Sequence, residues 1–157
     1  MTRLTPVEIA ATVSVLACTL VVVIPACARS VRMSRTAEAT ENLETISRAF
    51  ALHGNDPGLT LPTPLTPALV PRGSAVSDPP GTWDHPTWRA LGFSIPEDNS
   101  HWFSYMLDAR EPAHEVQAIA HGDLDGDGVL STYARTIRRE NAGWTPTGVL
   151  LVTADLE

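Results

Sequence analysis

Between residues 9 and 28 the chain runs IAATVSVLACTLVVVIPACA, twenty residues without a charge, which is the length a helix needs to cross a hydrocarbon core. A membrane-spanning segment is expected there. After it the pattern changes period: Ala39, Leu43, Ile46 and Phe50 recur at four, three and four residues, while Glu38, Glu41, Glu44 and Arg48 fall on other faces. That spacing predicts an amphipathic helix with one buried stripe. Gly54, followed by Asn55, Asp56 and Pro57, supplies the stop. A single helix from residue 5 to 53 would measure about 73 Å, and Pro25 is expected to kink or locally open it.

Residues 55–87 hold most of the chain's thirteen prolines and show little hydrophobic periodicity, so they read as an ordered surface loop that adds nothing to a core. Residues 88–93, WRALGF, predict a short helical turn ending at Gly92. Four strands are expected at 102–108, 116–121, 132–138 and 149–153, joined by turns rich in Pro, Gly and Asp, which makes an antiparallel meander the simplest topology. Its apolar face needs a cover, and the Leu43, Ile46, Phe50 stripe is the obvious one. The expected fold class is α+β: a long N-terminal helix, membrane half plus amphipathic half, packed on a roughly four-stranded antiparallel sheet. The segments are then a leader-like piece at 1–3, a transmembrane and assembly helix at 4–28, an amphipathic helix at 29–54, a Pro-rich loop at 55–87 and a β head at 88–157.

Charge sharpens this division. All eleven basic residues are Arg, and Arg3, Arg29, Arg32 and Arg35 flank the apolar stretch. The remaining seven face seventeen of the eighteen acids, which leaves residues 36–157 at −10. A head this acidic repels phosphate and is not expected to bind nucleic acid. Cys18 and Cys27 are the only cysteines, and nine residues of helix put them about 13.5 Å apart on opposite faces, so one disulfide cannot join them.

A charged residue at the start of an apolar helix, a helix that outlasts the membrane and a small sheet behind it resemble the layout of type IV pilins and type II secretion pseudopilins. Leu4-Thr5-Pro6-Val7-Glu8-Ile9 resembles the start of a mature pilin, with Glu8 at the family's glutamate and Pro25 at its frequent helix proline. Residues 34–43, residues 88–93, Phe103-Ser104-Tyr105 and the run Ala120-His-Gly-Asp-Leu-Asp-Gly-Asp-Gly128 look like pilin-like proteins of myxobacteria and their relatives. The resemblance implies self-assembly with homologous subunits, Glu8 pairing with the α-amino group of a neighbour, and processing by a prepilin peptidase between Arg3 and Leu4. Arg3 stands where that family has Gly. It further implies an inner-membrane protein with an extracytoplasmic head, at home in a pilus or secretion pseudopilus.

Two other readings compete. Ile24-Pro25-Ala26-Cys27 loosely matches a lipobox, which would make the protein a lipoprotein lipidated at Cys27; alternatively the head binds a partner and the chain never polymerises. Within the head, Asp123, Asp125 and Asp127 alternate ahead of Gly128 and Val129. Three carboxylates and the Val129 carbonyl would start a calcium shell, yet Ala134 occupies the position where an EF-hand loop has its bidentate Glu. A solvated Asp/Gly turn between strands accounts for the same residues. Five scattered histidines, with no H-E-x-x-H, P-loop, Gly-x-Ser-x-Gly or dinucleotide fingerprint, give no support to an enzyme. The four tryptophans are expected to pack the head.

Overall fold

The computed structural model describes residues 6–110, 114–141 and 143–153, with side chains outside description at 6–13, 16–17, 20, 22–33 and 149–151. The element order is α1 (Pro6–His53), α2 (Pro86–Leu91), then β1 (Ser104–Arg110), β2 (Glu115–Gly122), β3 (Ser131–Glu140) and β4 (Gly143–Thr153). Two compact units divide after Ser34: Met1–Ser34 and Arg35–Glu157.

The expected membrane half of the fold is corrected. Among the described residues no helix is long and apolar enough to cross a membrane. Where the side chains of α1 are described without interruption, at 34–53, they include Arg35, Glu38, Glu41, Glu44 and Arg48. Charges of that density keep this stretch out of hydrocarbon, since each costs about 2.5–3.5 kcal/mol at the centre of a spanning helix, and of the expected span at 9–28 only residues 14, 15, 18, 19 and 21 have described side chains. α1 continues as one helical element through Pro25.

In the head, the stripe on α1 is fully used. Ala39, Leu43, Ile46 and Phe50 are at most 1% exposed and share one cluster with Phe103, Tyr105, Leu107, Val116, Ala118, Ala120, Tyr133 and Ile137 of the sheet region. The sheet is four-stranded and antiparallel in the order β1-β2-β3-β4. Cross-strand partners Tyr105↔Ala120 and Ala120↔Tyr133 place two large rings around a small central residue, leaving room over β2 for an apolar helix face. Gly54 closes α1 because a Cβ there would meet the Phe50 carbonyl and the Trp144 ring at 2.6 Å each.

β4 is longer than expected, beginning at Gly143 and carrying Pro146 opposite Ile137. A proline is tolerated there because β4 is an edge strand and needs no outward donor. The register slips between Arg135 and Ile137, and the Thr147 hydroxyl donates to the Thr136 carbonyl at 2.9 Å, satisfying a main-chain group at the irregularity.

The Pro-rich segment departs most from its expected role. Its Thr63 and Thr66 amides donate to the Leu107 and Tyr105 carbonyls, and the Tyr105 amide returns a bond to Thr66. The outer edge of β1 is thereby paired, as an exposed edge requires. The same segment sends Trp83 into the core and buries Asp78. Its Trp88 neighbour at the start of α2 donates to the Thr66 hydroxyl at 2.9 Å. The helical turn expected at 88–93 is α2, shifted toward the N-terminus: Nδ1 of His85 accepts from the Thr87 amide, and Gly92 ends the helix at φ 63°, the left-handed cap that glycine adopts without strain.

Candidate functional site

The Asp123–Leu130 turn joins β2 to β3 and is built around one buried carboxylate. Asp123 is 0% exposed. Its Oδ1 accepts from the Gly126 amide at 2.7 Å and its Oδ2 from the Gly128 amide at 3.1 Å. Asp125 and Asp127 are exposed and accept from the Asp127 and Val129 amides. Ligand-type atoms of all three aspartates lie within 4.8 Å of one another, so the structure does bring together the carboxylates singled out in the sequence. Val129 is 44% exposed. Each carboxylate already accepts a main-chain amide, which is how Asp/Gly turns hold their shape. The turn is also tied down from outside: the Gly73 amide donates to the Asp123 carbonyl and the Asp123 amide to the Pro71 carbonyl, with the Arg72 guanidinium 3.9 Å from Oδ2.

Of the assembly and processing residues, Arg3 and Leu4 lie outside the described residues, as do the side chains of Glu8 and Pro25. Upstream of the head, the described apolar side chains Val15 and Val21 are 66% and 73% exposed, and Cys18 is an exposed free thiol.

A second constellation escapes any motif. Glu38 on α1 is half-buried and accepts from the Trp102 amide at 3.0 and 3.2 Å and from the Tyr105 hydroxyl at 3.3 Å; Asn42 in turn donates to that hydroxyl at 2.8 Å. Burial pushes the Glu38 carboxyl above its ordinary pKa, against the opposing pull of the Trp102 amide. Burial and the nearby Glu38 charge push the Tyr105 phenol well above its usual range. Beneath it, Asp78 Oδ2 accepts from Trp83 Nε1 at 2.8 Å and sits 3.0 Å from His101 Nε2, a buried nitrogen that makes no hydrogen bond among the described residues. The His101 Nδ1 lies 2.9 Å from the Phe103 carbonyl and must donate there, since a carbonyl only accepts.

A cleft of about 370 Å³ opens beside this cluster, lined by Glu38, Glu41, Asn42, Asp98, Asn99 and their neighbours. The tryptophans behave as packing: Trp83 and Trp88 meet edge-on at 5.7 Å and Trp83 and Phe93 at 5.4 Å. Nothing in the sequence pattern linked Glu38 to residues 101–105, because the contact spans more than sixty positions and follows no local period. No family model, curated protein or solved structure matches the chain.

Proposed function

We propose that this chain is a structural, non-catalytic subunit of the type IV pilus or type II secretion pseudopilus kind, which associates with further copies or similar subunits through the N-terminal part of α1 while the acidic α+β head faces outward. The observation that supports this reading is the unequal use of one helix. Among the described residues of α1 (Pro6–His53), the buried stripe runs from Ala39 to Phe50, while the described valines upstream, Val15 and Val21, are 66% and 73% exposed. Large apolar side chains left open along a helix gain free energy when another copy covers them, at roughly 25 cal/mol per Å². The residues quoted for the pilin resemblance add Glu8 as the polar group that sets register.

The test uses two differently tagged full-length copies expressed together. Capture of one tag should recover the other, and Glu8→Gln should lower that recovery at least fivefold while the melt of the head is unchanged. Wild-type copies that do not recover each other would overturn the reading; undiminished recovery by the Gln variant would remove Glu8 from it.

A further inference from the structure

The two edges of the sheet are finished differently. At β1 the Thr63 and Thr66 amides donate to the Leu107 and Tyr105 carbonyls, and the Tyr105 and Leu107 amides donate back to the Thr66 carbonyl and the Thr63 hydroxyl. The outward main-chain groups of Tyr105 and Leu107 are thereby used. At β4, the other outermost strand, no main-chain hydrogen bond leads away from the sheet among the described residues.

The strands also differ in charge. Asp108 and Arg110 lie in β1, Glu115 in β2, and Arg135, Arg138, Arg139 and Glu140 in β3. β4, GWTPTGVLLVT, carries none over its 11 residues. Edge strands are ordinarily blunted by charge, by proline or by a cover, because a row of free amides and carbonyls templates another strand. Pro146 does this near the start of β4, opposite Ile137 and beside the register slip. Beyond it, residues 147–153 hold neither charge nor proline, and threonine and valine, which favour strands, make up four of them.

We propose that the outer edge of β4 at residues 147–153 pairs antiparallel with the same edge of a second copy of this chain, joining two four-stranded sheets into one. A two-fold axis makes the contact self-matching, each strand supplying donors for the other's acceptors. Charge selects the partner. Residues 36–157 hold seven Arg and seventeen acids, −10 in sum, so two heads repel where acid meets acid. This strand lets them meet without like charges opposed across the ladder, and it offers no charge that would favour a charged peptide over a copy of itself. The contact is separate from the association through α1 and does not depend on it.

Gly148 is the probe. It is exposed, and a Cβ added there would meet nothing within 4 Å, on a backbone outside the left-handed region. The experiment is amide hydrogen exchange on the full chain, read over residues 147–153 in dilute and in concentrated solution. Concentrated wild type should exchange the outward amides of this segment at least about fivefold more slowly than dilute wild type. Gly148→Asp, which sets a carboxylate from each copy against the paired edge, should abolish that difference, and Gly148→Ala should keep it. Thr153→Asp, at the exposed end of the segment, serves in the same way if the melt of Gly148→Asp does not match wild type. Exchange that is equally slow at both concentrations overturns the proposal and assigns the edge to a segment of the same chain. Exchange that is equally fast at both leaves the edge unpaired and also overturns it. Slowing that survives the aspartate substitutions overturns it in favour of a contact elsewhere on the head.

Discussion

The Arg35 guanidinium lies 3.7 Å from the centre of the Trp102 ring and donates to the Leu124 carbonyl at 2.7 Å. One side chain of α1 therefore holds both the entry to β1 and the Asp123–Leu130 turn. Arg35→Ala should cost about 1–2 kcal/mol, from the stacked cation and the charge-assisted bond together, and lower the melting temperature by several degrees. Arg35→Lys should recover little of it, because an ammonium has no flat face to lay on the indole. A melt of the Lys variant equal to wild type would show that charge alone suffices.

Phe50 joins the helix stripe to the far end of the sheet, 1% exposed and edge-on to Trp144 at 5.2 Å. Truncation to Ala should destabilise the head by about 3–5 kcal/mol, read from urea unfolding by tryptophan fluorescence. Leu52 on the same turn is 81% exposed, and Leu52→Ala should stay within about 0.5 kcal/mol of wild type.

Asp123 supplies acceptors to two amides from a fully buried position. Asp123→Ala leaves both without a protein partner, so a loss of about 2 kcal/mol or more is expected, and it should appear in chelator as fully as in calcium. Asp125→Ala, which removes an exposed carboxylate, should then change the melt little. A loss by Asp123→Ala that depends on added calcium would instead make the turn a cation site.

The raised Glu38 pKa has a definite sign. The folded chain binds this proton more tightly than the unfolded one, so the contribution of Glu38 is most favourable below the unfolded carboxylate range and declines as pH rises through its raised folded value. Glu38→Gln keeps an acceptor for the Trp102 amide without the charge. Its melting temperature relative to wild type should therefore rise between pH 4 and pH 7. A difference that is flat across that range would show that the ionised carboxylate is not penalised in the head.

The hydrophobic pattern by itself determined the elements whose order is local. A repeat of four, three and four residues can bury only one helical face, and Ala39, Leu43, Ile46 and Phe50 form that face; short β-rich runs between Pro, Gly and Asp turns can fold only as adjacent antiparallel neighbours, and β1 to β4 do so. The same pattern expected a membrane half, whereas no described helix is long and apolar enough to cross a membrane. Twenty uncharged residues report the transfer preference of a segment and leave open what surrounds it. Only the tertiary structure decided the rest. The pairing of Thr66 with Tyr105, the burial of Asp78 against His101 and Trp83, and the seating of Glu38 on Trp102 join residues 23 to 64 positions apart, apart from the local Trp83 contact. Such contacts form because buried edges, amides and carboxylates must find partners once the core has closed, and that requirement acts in space, where no period along the chain records it.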